Sequence, residues 1–227
     1  MSGIVGSYFN TRGSGVVAKL GTDGQVFTST GAGLSQGFEA AAGGGYWTLI
    51  KSITASSSAT VSFVNGTAGV VFDNTYKLYM LRMIGVHPQT DGADFTFSPS
   101  DDTGSTYSVT KTVGVYATYN KEDDAQEGIQ YRGTEDSKQE THYQELFAQH
   151  SADADSAGVG ELIFFDPSDT THVKHFYGDT SYCNDDDYGK FLSLGGYFNT
   201  TSAIDAIQFK YSSGNIDAGQ FILYGAD

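Results

Sequence analysis

From Tyr46 to its end the chain is a succession of short apolar runs, each closed by a cluster of Gly, Asn, Asp or Ser. That punctuation interrupts helical periodicity and suits extended segments joined by tight loops. About eleven segments fit the pattern. They are Tyr46–Thr54, Ala59–Val64, Tyr76–Val86, Ala93–Phe97, Thr106–Tyr119, Gly128–Arg132, Val159–Phe165, Thr171–Tyr177, Lys190–Phe198, Ile204–Tyr211 and Gly219–Tyr224. Their spacing predicts an all-β fold, a jelly-roll-like antiparallel β-sandwich over residues 46–227.

Two runs carry this reading. In Ile207–Tyr211 apolar and polar residues alternate strictly, so one face enters a core while Gln208 and Lys210 meet water. In Tyr76–Val86 both parities are apolar around Met80, which predicts a strand covered on both sides or meeting another subunit. The segment 135–152 is different. It is rich in helix formers, and Tyr143, Leu146 and Phe147 sit at i, i+3, i+4 spacing. A short helix and a strand over Tyr143–Ala148 are both compatible with it.

Residues 1–45 hold 12 of the 29 glycines, no proline and four charges that cancel, so they cannot build a core alone. Asp23-Gly24 is a hairpin-type dipeptide, and a strand is expected over Gln25–Ser29. The rest of the segment reads as a glycine-rich extended arm. It needs a partner to order it, either the body of the chain or copies of itself.

Charge narrows the function classes. With 12 basic and 27 acidic side chains the net charge is −15, which opposes neutralisation of phosphates, so neither nucleic acid nor an anionic membrane is an expected partner. No run is long and apolar enough to insert in a membrane, and the start lacks the layout of a secretory signal. The single cysteine, Cys183, excludes an intrachain disulfide.

No catalytic residue is assigned. Gly33-Leu34-Ser35-Gln36-Gly37 fits G-x-S-x-G, but it lies in the glycine arm and not between a buried strand and a helix. His172 and His175, at i, i+3 on an expected strand, point to opposite faces and cannot chelate one ion. No cofactor is required. The best place for an irregular Ca2+ site is Asn184–Asp187, with Asp185, Asp186 and Asp187 as donors, although no calcium-loop template fits. Aromatic residues beside amide or acidic side chains offer stacking faces and acceptors for a sugar. Those positions are Trp47, beside Tyr46, and Tyr182 with Asn184 and Tyr188. Core packing is the competing use of each aromatic.

The stretch Leu20–Gly33, LGTDGQVFTSTGAG, resembles a linker that recurs in tailed-phage fibres, where it precedes a distal domain. Ser202–Phe209, Ser213–Ile216 and Gly219–Gly225, with Tyr76–Val86 and Ser105–Thr112, resemble a β-sandwich domain frequent in marine and cyanobacterial phage structural proteins. The resemblance implies a virion protein, made in the host cytoplasm and carried on the particle. It further implies a homotrimer bound to other virion proteins. Residues 1–45 would then be the docking arm, with Val5, Tyr8, Phe9, Leu20, Val26 and Phe27 as its apolar positions. Closed symmetry would order such an arm by pairing it with its neighbours. Unlike a long fibre, the chain shows no shaft repeats or heptads before the linker.

The expected function is therefore a non-enzymatic structural virion protein, a short tail fibre or receptor-binding appendage touching a host surface glycan or protein. A capsid decoration or head fibre protein is the alternative. A glycan depolymerase ranks last, since no carboxylate pair can be singled out.

Overall fold

The computed structural model describes residues 25–28, 37–40 and 46–227. The chain separates into two units, 1–45 and 46–227. In the first, β1 (Gln25–Thr28) pairs antiparallel with β2 (Gly37–Ala40), with Val26 opposite Glu39 and Phe27 opposite Phe38. The strand expected at Gln25 is present. Its partner was not legible, because Gly37-Phe38-Glu39-Ala40 is too short to show alternation. Of the expected docking positions, Val26 and Phe27 lie in β1, whereas Val5, Tyr8, Phe9 and Leu20 fall outside the described residues.

The second unit is all β among its described residues. In chain order it contains β3 (Thr48–Ser58), β4 (Val61–Val64), β5 (Leu78–Pro88), β6 (Ala93–Ser100), β7 (Lys111–Lys121), β8 (Glu127–Tyr131) and β9 (Ser137–Glu140). There follow β10 (Gln144–His150), β11 (Gly158–Phe165), β12 (Lys174–Cys183), β13 (Tyr188–Phe198), β14 (Ala206–Tyr211) and β15 (Ile216–Ala226).

Two antiparallel sheets form a β-sandwich. The short sheet has the order β10-β6-β14-β4 and the long one β3-β15-β5-β11-β12-β13-β7-β8, with β9 also pairing β7. Eight of these strands make a jelly roll of two four-stranded layers, β3-β15-β5-β11 facing β4-β14-β6-β10. The other strands are insertions. β7, β8 and β9 sit between β6 and β10 in the chain, and the β12–β13 hairpin sits between β11 and β14. Together they lengthen one sheet and leave the other at four strands.

Aromatic side chains hold the layers together. Phe97 of the short sheet lies 5.5 Å from Phe176 and 6.4 Å from both Phe164 and Phe198 of the long sheet, ring centre to ring centre. Phe221 lies 5.6 Å from Phe209 and 6.0 Å from Phe95. Offset and edge-on contacts of this kind add to the burial of the rings. β14 is buried at Ile207, Phe209 and Tyr211 and half-buried at Gln208 and Lys210, following its alternation.

The segment 135–152 contains no helix. It forms β9 and β10, and a bulge between Glu145 and Phe147 in the pairing of β10 with β6 explains the misleading spacing. The bulge turns the consecutive residues Leu146 and Phe147 both into the core, so strict alternation is lost. The strand expected at Thr171 begins only at Lys174, and His172 stands before it, its Nδ1 2.8 Å from Asp169 Oδ2.

Lysines occupy two buried positions at the end of the sandwich where β7 and β12 begin. Lys174 donates to the carbonyls of His172 (2.8 Å) and Thr200 (3.1 Å), and Lys111 donates to that of His142. Burial pushes the Lys111 ammonium down to about 8, against the pull of Glu140.

Met80 also answers an expectation. It faces away from the sandwich core, yet it is only 4% exposed, between Tyr224 and Ile163 in register on the adjacent strands. The row continues to Leu49 on β3 and Tyr177 on β12, giving an apolar band across five strands of the outer face.

Candidate functional site

The width mismatch between the sheets creates the site. On β13 the inward-facing residues Leu194 and Leu192 are buried, and the next on that face is Lys190. Lys190 pairs in register with Tyr119 of β7, and Tyr119 with Gly128 of β8. At this corner the long sheet runs past the cover of the short one. The inward face therefore opens into a cleft of about 220 Å³.

Three parts of the chain line it. The strands supply Tyr119, Lys190 and Gln130, and the loops beside β8 supply Gln126 and Arg132. The end of β10, the turn from β12 to β13 and the first residue of β13 supply Gln149, Asn184, Asp186 and Tyr188.

Local geometry positions each group. A Cβ on Gly128 would stand 2.9 Å from the Tyr119 hydroxyl and 3.1 Å from its ring, so the missing side chain lets Tyr119 lie across β8. Tyr119 meets Tyr188 edge-on at 5.9 Å. The Tyr188 hydroxyl donates to Gln126 Oε1 at 2.8 Å, and Lys121 Nζ stands 5.3 Å from the centre of the Tyr188 ring. Asn184 Oδ1 accepts the backbone N–H groups of Tyr188 (2.9 Å) and Asp186 (3.3 Å), which fixes the tight turn. Asp185 N donates to the Gln149 carbonyl at 2.9 Å and ties that turn to β10.

Behind the cleft lies a network of buried polar groups. Arg132 pairs with Glu135, which also accepts the Thr134 hydroxyl at 2.7 Å. Burial works to raise the Glu135 carboxyl, but these two donors outweigh it and hold it below the usual range. Gln144 donates to the Glu135 carbonyl at 2.6 Å and accepts from Ser137 at 2.8 Å. Among the described residues Glu145 has no such donor. Burial, with Asp94 and Glu135 adding repulsion, pushes it up to about 7. Burial lowers the Lys190 ammonium and the charge of Arg132 lowers it further, while Glu135, Asp185 and Asp186 act the other way.

The expected glycan residues separate. Asn184 and Tyr188 line the cleft. Tyr182 is a correction: it is only 4% exposed, its hydroxyl accepts Ala148 N–H at 3.0 Å, and its ring packs 5.1 Å from Phe147. The alternation of β12 places it on the core face, so it is no sugar platform. Trp47 meets Tyr46 edge-on at 5.5 Å beside β3, the strand at the opposite edge of the long sheet from β8.

The three aspartates at 185–187 are exposed in the β12–β13 turn, and only Asp186 reaches the cleft. Among the described residues no group of His, Cys, Asp and Glu converges as a metal ligand set.

Sequence reasoning missed Tyr119, Gln126, Gln130, Arg132, Gln149 and Lys190. One signal was present. In Tyr188–Phe198 a lysine occupies the parity of Leu192 and Leu194, which marks either the end of a core or a site. Two open depressions of about 540 and 520 Å³ share Asn120, Ser181 and Gly189, and the larger also has Tyr119 and Lys190 in its lining. They gather fewer converging polar tips than the cleft. No family model, curated protein or solved structure matches the chain.

Proposed function

We propose that the protein is a non-enzymatic virion appendage, a short tail fibre or receptor-binding protein that contacts a host surface glycan through the cleft at the overhang of its long sheet. The observation that carries this reading is the cleft itself. It is built largely by insertions the jelly roll does not need, and it is lined by amides, phenols and charged tips with Asp186 as the one carboxylate, where glycoside hydrolysis uses a pair. Such a lining suits the recognition of hydroxyl groups more than bond cleavage. The fibre-like linker at Leu20–Gly33 adds the virion context, with 1–45 as the docking arm. The apolar band from Leu49 through Met80 to Tyr177 supports self-association, with a homotrimer as the expected state.

The test is electron cryo-microscopy of the particle together with binding of the whole chain to host polysaccharide. Density projecting in threes from the tail, and binding without new reducing ends, is the expected result. Density on the capsid without glycan binding replaces the reading with capsid decoration.

A further inference from the structure

We infer that the cleft binds a sugar acid, a pyranose unit whose carboxylate meets Lys190 and whose hydroxyls meet Asp186 and the amides; this rests on the glycan reading above. Lys190 is partly buried, yet it makes no ion pair or hydrogen bond among the described residues. That is conspicuous in a chain with 27 acidic side chains for 12 basic ones, because a desolvated charge ordinarily finds a partner.

The neighbours of Lys190 are donors too. Arg132 commits one terminal nitrogen to Glu135 and keeps the rest of its fork. Asn184 spends its oxygen on the turn, and its amide nitrogen makes no hydrogen bond among the described residues. Gln126 likewise spends its oxygen on the Tyr188 hydroxyl. A surplus of donors around an unpaired cation calls for an acceptor-rich anion.

Two features make that anion a sugar acid instead of free inorganic phosphate or sulfate. Asp186 at the rim accepts hydroxyl protons but repels a compact dianion, and the Tyr119 ring offers a flat face to the C–H side of a pyranose. The volume of about 220 Å³ falls below that of sites for drug-sized ligands and suits a single ring.

The test is titration of the whole chain against a panel of uronic and sialic acid oligosaccharides and the carboxyl-reduced counterpart of each. Acidic glycans are expected to bind roughly 10- to 100-fold more tightly than their reduced forms, the range for a hydrogen bond to a charged group. Lys190→Gln should abolish that preference, and Lys190→Arg should keep part of it. An unchanged unfolding midpoint checks that the variants fold, with Lys190→Met as a second neutral replacement. Equal affinity for acidic and reduced glycans, or a preference indifferent to Lys190→Gln, overturns the sugar acid and leaves the glycan reading standing. Failure of every saccharide to bind overturns both.

Discussion

Along one face of β13, Phe198, Leu194 and Leu192 are buried against the short sheet, and Lys190, two residues further toward the start of the strand, lines an open cleft. Backbone pairing is uninterrupted across that boundary, from Phe198 opposite Lys111 to Tyr188 opposite Lys121. What changes is whether a second layer lies above. Under the short sheet, rings stack on rings and stability comes from apolar area removed from water. Beyond it, the same face carries phenols, amides and ions, which contribute less to stability and remain available to a ligand. Jelly roll and site are thus distinguished by cover, not by secondary structure.

The largest expected effect breaks the covered side. Phe97 touches rings from both sheets, so Phe97→Ala should destabilise the sandwich by about 3 to 5 kcal/mol in chemical denaturation, as large-to-small aromatic changes in cores do. A loss below about 1 kcal/mol would mean the layers are not held by this stack.

Next comes the acid side of the pH profile. His150 is fully buried among Phe147, Tyr182 and Tyr211, its Nδ1 2.7 Å from the Tyr211 hydroxyl and its Nε2 without a partner among the described residues. Burial, with His87 adding repulsion, lowers it to about 4. The unfolded chain takes up this proton first, near pH 6.5. Its contribution is therefore fully present above that pH, falls as pH drops, and is gone below about 4, a change of at most about 3 kcal/mol. Unfolding midpoints of wild type and His150→Phe across that window check it, and an unchanged slope in the variant would assign the acid sensitivity elsewhere.

The ion pair behind the cleft should matter about as much. Arg132→Met leaves the buried Glu135 with only the Thr134 hydroxyl, at an expected cost of roughly 2 to 4 kcal/mol. Thermal unfolding at neutral pH reads it. An additional Glu135→Gln change should restore part of the loss, by removing the unpaired charge.

Glu145 gives the smallest effect, and of opposite sign. Its raised pKa means the folded protein holds the proton from the unfolded value near 4.5 up to about 7, so ionisation costs stability as pH rises through that range. Glu145→Gln should raise stability at pH 7 by about 1 kcal/mol after solvent screening, and leave it unchanged at pH 4. Stability that fell in the variant at pH 7 would show that the ionised carboxylate is used.

The two regions were not equally legible. The alternation in Ile207–Tyr211 and the both-sided apolar run at Tyr76–Val86 are local patterns; the first is a strand with the burial it implies, and the second is a strand from Leu78 whose outer face is buried at Met80 but exposed at Arg82 and Ile84. Local spacing misled at Tyr143, Leu146 and Phe147, because a bulge in the pairing with β6 mimics a helical period. At the cleft, Asn184 and Tyr188 could be named because they are near neighbours in one turn. Tyr119, Arg132 and Lys190 could not, since register with a distant strand is what brings them together.

Composition and local alternation were enough to make this chain an antiparallel β protein with a glycine-rich start and a surface poor in basic groups, because those properties depend on residues within a strand's length of each other. The order of strands in each sheet, the four-against-nine mismatch and the cleft that follows from it were decided by tertiary structure. The physical reason is that an exposed or a covered end of a strand reads alike in sequence. Only the second sheet, folded back from far along the chain, determines which side chains water can still reach.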